Sequence, residues 1–422
     1  MNTDQADERT EDPADHPTDR QPGHANYEAS RQARHHESRL LRASQPALWA
    51  LLAAGRTRLI HPVRRVPRLG WVVADPVLAR QVLNDHRHFT LLGEGGVGHL
   101  WQQVLGDYVL RIFDGPGHAD LRKRARDLFT EANSATLVDR VAGPAADALA
   151  ADLARGRAVD VAETARTVVG RMMADLLGLR LPDDTPDTAY RDVFATGERL
   201  AALALGSTAS THLPPAVVTE AKQIIDHLTR DVPEAFADAP ATTLLGRCRE
   251  AGLTLEESRG LTSLLLVAGT ETAASAMSRT VALLHDTGAQ HALLADATLM
   301  PTAVREGLRV TTPAPVIGRH VSADVDLAGH RLRAGQRILL LTHTANNAAG
   351  PFDLTRPYDP DTRQLWFGGG RHLCLGAPVA RAELTRMLTA VTASGRSYRV
   401  VERRYARKVL IPSYERLRIQ LV

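Results

Sequence analysis

The chain has 422 residues, 44% of them hydrophobic and 23% charged, the balance of a globular protein with a large core. Its two cysteines, Cys248 and Cys374, exclude a disulfide framework and any zinc or iron–sulfur site built from cysteines of this chain alone, and they fit a reducing cytoplasm. The net charge of +3 is uneven: residues 1–30 hold eight acids against two arginines, which leaves a basic body that suits an acidic partner or anionic ligand as readily as plain solvation.

In chain order, residues 1–25 are rich in Asp, Pro, Thr and Gln and poor in apolar groups, so a disordered acidic tail is expected there, followed by one domain over 26–422. This beginning reads as neither a signal peptide nor an anchor, and no apolar run is long enough to span a bilayer. LGWVVADP (69–76) predicts a strand ending in a turn. LVDRVAGPAADALAADLA (137–154) and ETARTVVGRMMADLLGL (163–179) repeat their apolar residues at helical spacing. The stretch 253–285 predicts a longer helix, apolar nearly all round in its middle and so crossing the core. Thr254 and Glu257 form a capping box at its start. VDLAGHRLRAGQRILLL (325–341) predicts short strands separated by Gly-containing turns. The fold class is therefore mainly α with a smaller β region, in a single large domain.

Four short stretches carry chemistry. FGGGRHLCLG (367–376) places Cys374 in a glycine-rich turn, and Pro378 just beyond suits the first turn of a helix. Free N–H groups and a helix dipole there would favour negative charge on sulfur, a design for a thiolate metal ligand. A buried structural cysteine is the equal alternative on this loop alone. AGTET (268–272) puts a glycine, an acid and a hydroxyl into the middle of the apolar helix. Thr272 can bond back to the carbonyl four residues earlier, and Glu271 is expensive there unless used or paired. EGLR (306–309) and GHADLR (117–122) each set an acid or a histidine and an arginine on one helix face, Glu306 with Arg309 and His118 with Arg122. Taken singly, these three read first as helix packing, a surface ion pair and solvent-exposed residues.

The loop resembles the haem-binding signature of the cytochrome P450 family, F-G-x-G-x-H-x-C-x-G, at every fixed position, and the other three stretches resemble family motifs in the family's order, over roughly residues 40–422. The resemblance implies a mainly α haem-thiolate monooxygenase with haem b held by Cys374 as axial metal ligand. It implies contacts with the cofactor from Phe367, Gly368 and Gly376, and propionate binding by His118, Arg122, Arg319 and His372. Ala268 and Gly269 would form a groove for dioxygen, with Glu271 and Thr272 handling protons during its activation. Glu306 and Arg309 would form a buried structural ion pair with a later arginine, Arg356 from FDLTR or Arg363. The substrate would be a largely apolar small organic molecule met by segments 91–112 and about 195–220, by Leu264 and Val267, and by residues 314–317, including Val316 and Ile317. Trp101 and Tyr108 would face that pocket or pack beside it. The resemblance further implies a cytoplasmic monomer, fed by separate ferredoxin and ferredoxin reductase proteins, without nucleic-acid or membrane partners. A dock for the ferredoxin is expected around Arg124, Arg126 and Arg371. Hydroxylation in bacterial secondary metabolism is the expected outcome. Ring coupling, desaturation, nitration or peroxide use on the same scaffold, a non-catalytic haem protein and, least, a cysteine hydrolase are the alternatives.

Overall fold

The structure, a computed structural model, describes residues 22–422 apart from 58, 95, 116, 180, 183, 206–211 and 361–362. The first 21 residues of the expected acidic tail lie outside the described residues, and the first helix, Pro22–Ser44, begins at residue 22.

Helices make up most of the molecule, and the long helix Leu255–Asp286 is its axis. The Thr254 hydroxyl accepts from the Glu257 N–H and the Glu257 carboxylate accepts from the Thr254 N–H, so the capping box closes and fixes where the helix starts. Leu261, Leu266, Val281 and Leu284 are fully buried on it, on more than one side. Around it pack the helices Val161–Leu176, Asp187–Leu205, Met300–Thr311 and Ala377–Thr392, and these share one continuous apolar core with the helix Glu131–Ala154. The helix Pro22–Ser44 is pinned to the axis by a buried ion pair between Glu37 and Arg279. A buried pair of this kind is costly to break one-sidedly, since it strands a charge.

The β structure is small and lies to one side. One sheet orders Val63–Val66, Gly70–Val73, Arg337–Leu340, Ile317–Val321 and Phe89–Thr90. Its strands Gly70–Val73 and Arg337–Leu340 are parallel, with Trp71 opposite Ile338, and the remaining neighbours are antiparallel. The hairpin Tyr398–Tyr405 and Tyr414–Leu421 forms a second sheet with the short strand Val159–Asp160. Val325–Leu327 pairs with His330–Leu332 as a separate ribbon. The strands expected within 69–76 and 325–341 are all present. The C-terminal hairpin is an addition to the sequence reading. Among the described residues no helix is long and apolar enough to cross a membrane.

Candidate active site

Cys374 lies in a coil between a short 3-10 turn, Gly370–His372, and the helix Ala377–Thr392. Gly368 has φ 78° and Gly370 φ 61°, conformations that L side chains rarely adopt, and a Cβ at Gly370 would stand 2.5 Å from the Leu83 carbonyl oxygen. The loop is closed by the Cys374 N–H donating to the Phe367 carbonyl at 3.1 Å. Pro378 occupies the first turn of the following helix. The N–H groups of Gly376 and Ala377 point at the sulfur, and the guanidinium groups of Arg122 and Arg381 add positive potential. Surrounding protein density nevertheless pushes the thiol pKa up, although the sulfur-bearing residue is exposed. The residue is thus exposed while the surroundings of its thiol disfavour the charged form. Cys248, by contrast, is fully buried, and burial pushes its thiol up to about 11, which leaves it an inert core residue.

The aromatic at the loop's start, Phe367, carries the Arg381 guanidinium over its ring at 5.6 Å. His372 stacks obliquely with His118 at 5.5 Å and meets Phe113 edge-on at 6.1 Å. The Nδ1 atoms of both histidines are buried without a hydrogen-bond partner. Burial lowers the pKa of each, most strongly for His372, so both are neutral near pH 7. Arg122, one turn along the helix His118–Leu128, donates to the Leu373 carbonyl at 2.5 Å. Arg319, on the strand Ile317–Val321, is 4% exposed and donates only to the Gly318 carbonyl, and burial pulls its pKa down to about 10. No carboxylate faces Arg122 or Arg319 among the described residues. Three segments far apart in sequence thus bring two unneutralised guanidiniums and two orphaned imidazole nitrogens towards the cysteine loop.

The long helix supplies the opposite kind of surface. Ala268 is exposed and Gly269 half-buried in the middle of a helix whose neighbours are core residues. The Thr272 hydroxyl donates back to the Ala268 carbonyl at 2.9 Å, with Gly269 O at 3.4 Å. Glu271 is 7% exposed; its Oε2 accepts from the Ile411 N–H at 3.2 Å and its Oε1 has no partner. Burial, reinforced by the charge of Glu198, pushes this carboxyl up to about 7. Leu264 and Val267 are buried on the same helix, whereas Val316 and Ile317 are half-buried where the strand Ile317–Val321 begins. Of the segment 195–220, residues 206–211 lie outside the described residues. Tyr108 is a packing residue: a Cβ at Gly260 of the long helix would stand 2.3 Å from its ring. Trp101 is half-buried and tilted against Phe113 at 5.8 Å.

The ion pair is fully formed. Arg309 donates to both oxygens of Glu306 at 2.8 and 2.7 Å, and both residues are buried. The third member is Arg356, whose Nε donates to Glu306 at 3.2 Å, and the Asp353 N–H adds a further bond at 3.1 Å. Arg363 is exposed and plays no part in it. Of the three arginines expected at a partner dock, Arg124 is tied to Asp120 and Glu257, and Arg371 pairs with Asp114; Arg126 is exposed.

These residues fit a haem. Among the described residues no three His, Cys, Asp or Glu side chains converge as a metal site, so Cys374 is a lone sulfur donor. A lone donor suits a metal that brings its other ligands with it. Unneutralised Arg122 and Arg319 beside the orphaned His118 and His372 suit a group with two carboxylates. The model for the family "Cytochrome P450" matches residues 280–392. The "Putative cytochrome P450 YjiB" of Bacillus subtilis is 37% identical over 35% of this chain, a match that takes in 39% of that protein's length. "Nocardicin C N-oxygenase" of Nocardia uniformis is 28% identical over 83% of this chain and 85% of its own. A solved mutant of P450 EryK in complex with erythromycin B superposes with a TM-score of 0.71 at 24% identity, covering 90% of this chain and 97% of that one. Over residues 280–392 the chain matches the cytochrome P450 family, and over most of its length it is similar to proteins that carry that name.

Proposed function

We propose that the chain is a haem-thiolate monooxygenase that oxidises, and most directly hydroxylates, a largely apolar small organic molecule in bacterial secondary metabolism. The observation that carries this is Cys374, an exposed residue whose sulfur is met by the Gly376 and Ala377 N–H groups and lies in the field of the Arg122 and Arg381 guanidiniums. Haem b bound there supplies oxygen activation, with Cys374 as the thiolate ligand. His118, Arg122, Arg319 and His372 would hold its carboxylates, and Phe367, Gly368 and Gly376 would contact it from the cysteine loop. The long helix offers an opening at Ala268 and Gly269. The Thr272 hydroxyl, held by the Ala268 carbonyl, holds a proton at that opening. Glu271, near-neutral in pKa, takes up and releases protons at the operating pH. Leu264, Val267, Val316 and Ile317 give the substrate region an apolar lining that excludes water. Electrons come from a separate ferredoxin and its reductase. The N-oxygenase name of one relative shows that the family scaffold serves outcomes other than carbon hydroxylation.

The test is the carbon monoxide difference spectrum of the reduced protein beside Cys374→Ala. A strongly red-shifted Soret band that the substitution abolishes is the expected result. An ordinary haem-protein band would remove the thiolate reading, and with it the monooxygenase. NADPH consumption with a surrogate ferredoxin and reductase separates an enzyme from a haem carrier.

A further inference from the structure

Glu271 shares its surroundings with a second carboxyl. The helix Asp187–Leu205 packs against the long helix and brings Glu198 towards the acidic turn. Between these two helices, the helix Val161–Leu176 and the start of the strand Tyr414–Leu421 lies a small cavity. Glu198, Glu271, Arg166, Ser275 and Tyr414 are among its lining residues, and its space for a water centre is about 10 Å³. That is room for one water, which needs two to four polar partners. The partners are present. Glu271 is more than nine-tenths buried, and its Oε1 is free of any hydrogen bond. The Tyr414 hydroxyl, on a residue 1% exposed, is likewise unpartnered.

Among the described residues no cation pairs with either acid. Arg166 spends its guanidinium on the Tyr414 and Glu415 carbonyls and on Glu163. No ion pair or hydrogen bond engages Glu198 among the described residues. The groups facing Glu271 from the packed elements are therefore Glu198, Arg166 and Tyr414, one competing acid, one occupied cation and one neutral phenol. Two carboxyls at one water-sized space do not both ionise readily, and one proton shared between them relieves the repulsion.

We propose that Glu198 is the outer carboxyl of a two-carboxyl proton relay that enters the molecule through this cavity and ends at Glu271 beside Thr272. Half-buried Glu198 takes a proton from solvent. It passes that proton across one water to the free Oε1 of Glu271, and Glu271 releases it on the Thr272 side by leaving the single hydrogen bond from Ile411. Each transfer breaks one O–H bond and forms another, no electron moves, and the pair returns to its starting charge. The delivery step rests on the monooxygenase reading above; the sharing of a proton does not. Glu198 acts through Glu271 and is a positioning and relay residue.

The experiment uses the haem-loaded full chain. Infrared spectra across pH follow the C=O stretch of protonated carboxyls in wild type, Glu271→Gln, Glu198→Gln and Glu198→Asp. A band titrating near neutral pH, absent in Glu271→Gln, is expected, with its midpoint about one pH unit lower or more in Glu198→Gln. With a surrogate ferredoxin and reductase, Glu198→Gln should oxidise NADPH about 5–10-fold more slowly and move the alkaline limb of the pH–rate profile. Glu198→Asp should restore both. An unmoved infrared midpoint would overturn the shared proton. A moved midpoint with an unchanged rate and profile would overturn the relay. Absence of the thiolate band in the carbon monoxide spectrum would remove the monooxygenase reading, and the infrared titration would still decide whether the carboxyls share a proton.

Discussion

Glu383 is 3% exposed on the helix Ala377–Thr392, and burial pushes its carboxyl from 4.5 up to about 8. In the folded chain it holds its proton over that interval, whereas an unfolded chain has released it. Folding is then favoured most below about pH 4.5, and the advantage is lost as pH rises through 8. The linked change is at most about 5 kcal/mol, at 1.36 kcal/mol per pH unit. Glu383→Gln keeps the shape and removes this titration, so the gap between the urea midpoints at pH 5.5 and 8.5 should be narrower in the variant than in wild type, with the share of Glu271 remaining. Equal midpoints in wild type would show that Glu383 is solvated. At this scale the sequence was most legible where chemistry forces residue types into a fixed short spacing. Cys374 in its loop, His118 with Arg122, and Glu306 with Arg309 were all visible that way. Glu198, Tyr414 and the Ile411 N–H were not, because they reach Glu271 from other segments and no spacing in the chain records their approach.

Helices that cross closely need small residues at the crossing, and Gly170 is such a point. It lies in Val161–Leu176, and a Cβ there would stand 2.0 Å from the Tyr190 carbonyl oxygen of Asp187–Leu205. Gly170→Ala gains up to about 1 kcal/mol of helix propensity. It forces the two backbones apart, for which overpacking costs about 1–3 kcal/mol and more against a rigid carbonyl. Net destabilisation is expected, read as a lowered urea midpoint; a raised midpoint would mean that the helices shift freely. The same shift would move Glu198. Periodicity revealed the long helix and its cap because a 32-residue element repeats its signal many times. The hairpin Tyr398–Tyr405 and Tyr414–Leu421 escaped for the opposite reason. Its register slips twice, and arginines and glutamates crowd both faces, so the period-2 alternation that marks a strand is broken.

Across the whole molecule, the segment ahead of the cysteine loop is anchored by a charge network. Arg309 reaches the carbonyls of Asn346 at 2.8 Å, Gly350 at 3.1 Å and Pro351 at 2.9 Å, while Arg356 reaches Ala349 at 2.6 Å and Pro351 at 2.9 Å. Glu306 neutralises both arginines and also accepts from the Asp353 N–H. One carboxylate therefore ties the helix Met300–Thr311 to the whole segment 346–356 that leads towards Cys374. Removing it leaves a buried arginine without its counter-ion, which costs about 3–5 kcal/mol. Glu306→Gln should lower the urea midpoint accordingly and reduce the fraction of chain that retains haem. Arg363→Ala, an exposed change outside the network, should stay within about 0.5 kcal/mol of wild type. The comparison separates two accounts of the network. A lower urea midpoint with normal haem retention in the folded fraction would make it a general staple. Loss of haem at temperatures where the helical signal is intact would show that it positions the loop, because only the segment ahead of Cys374 would then have moved.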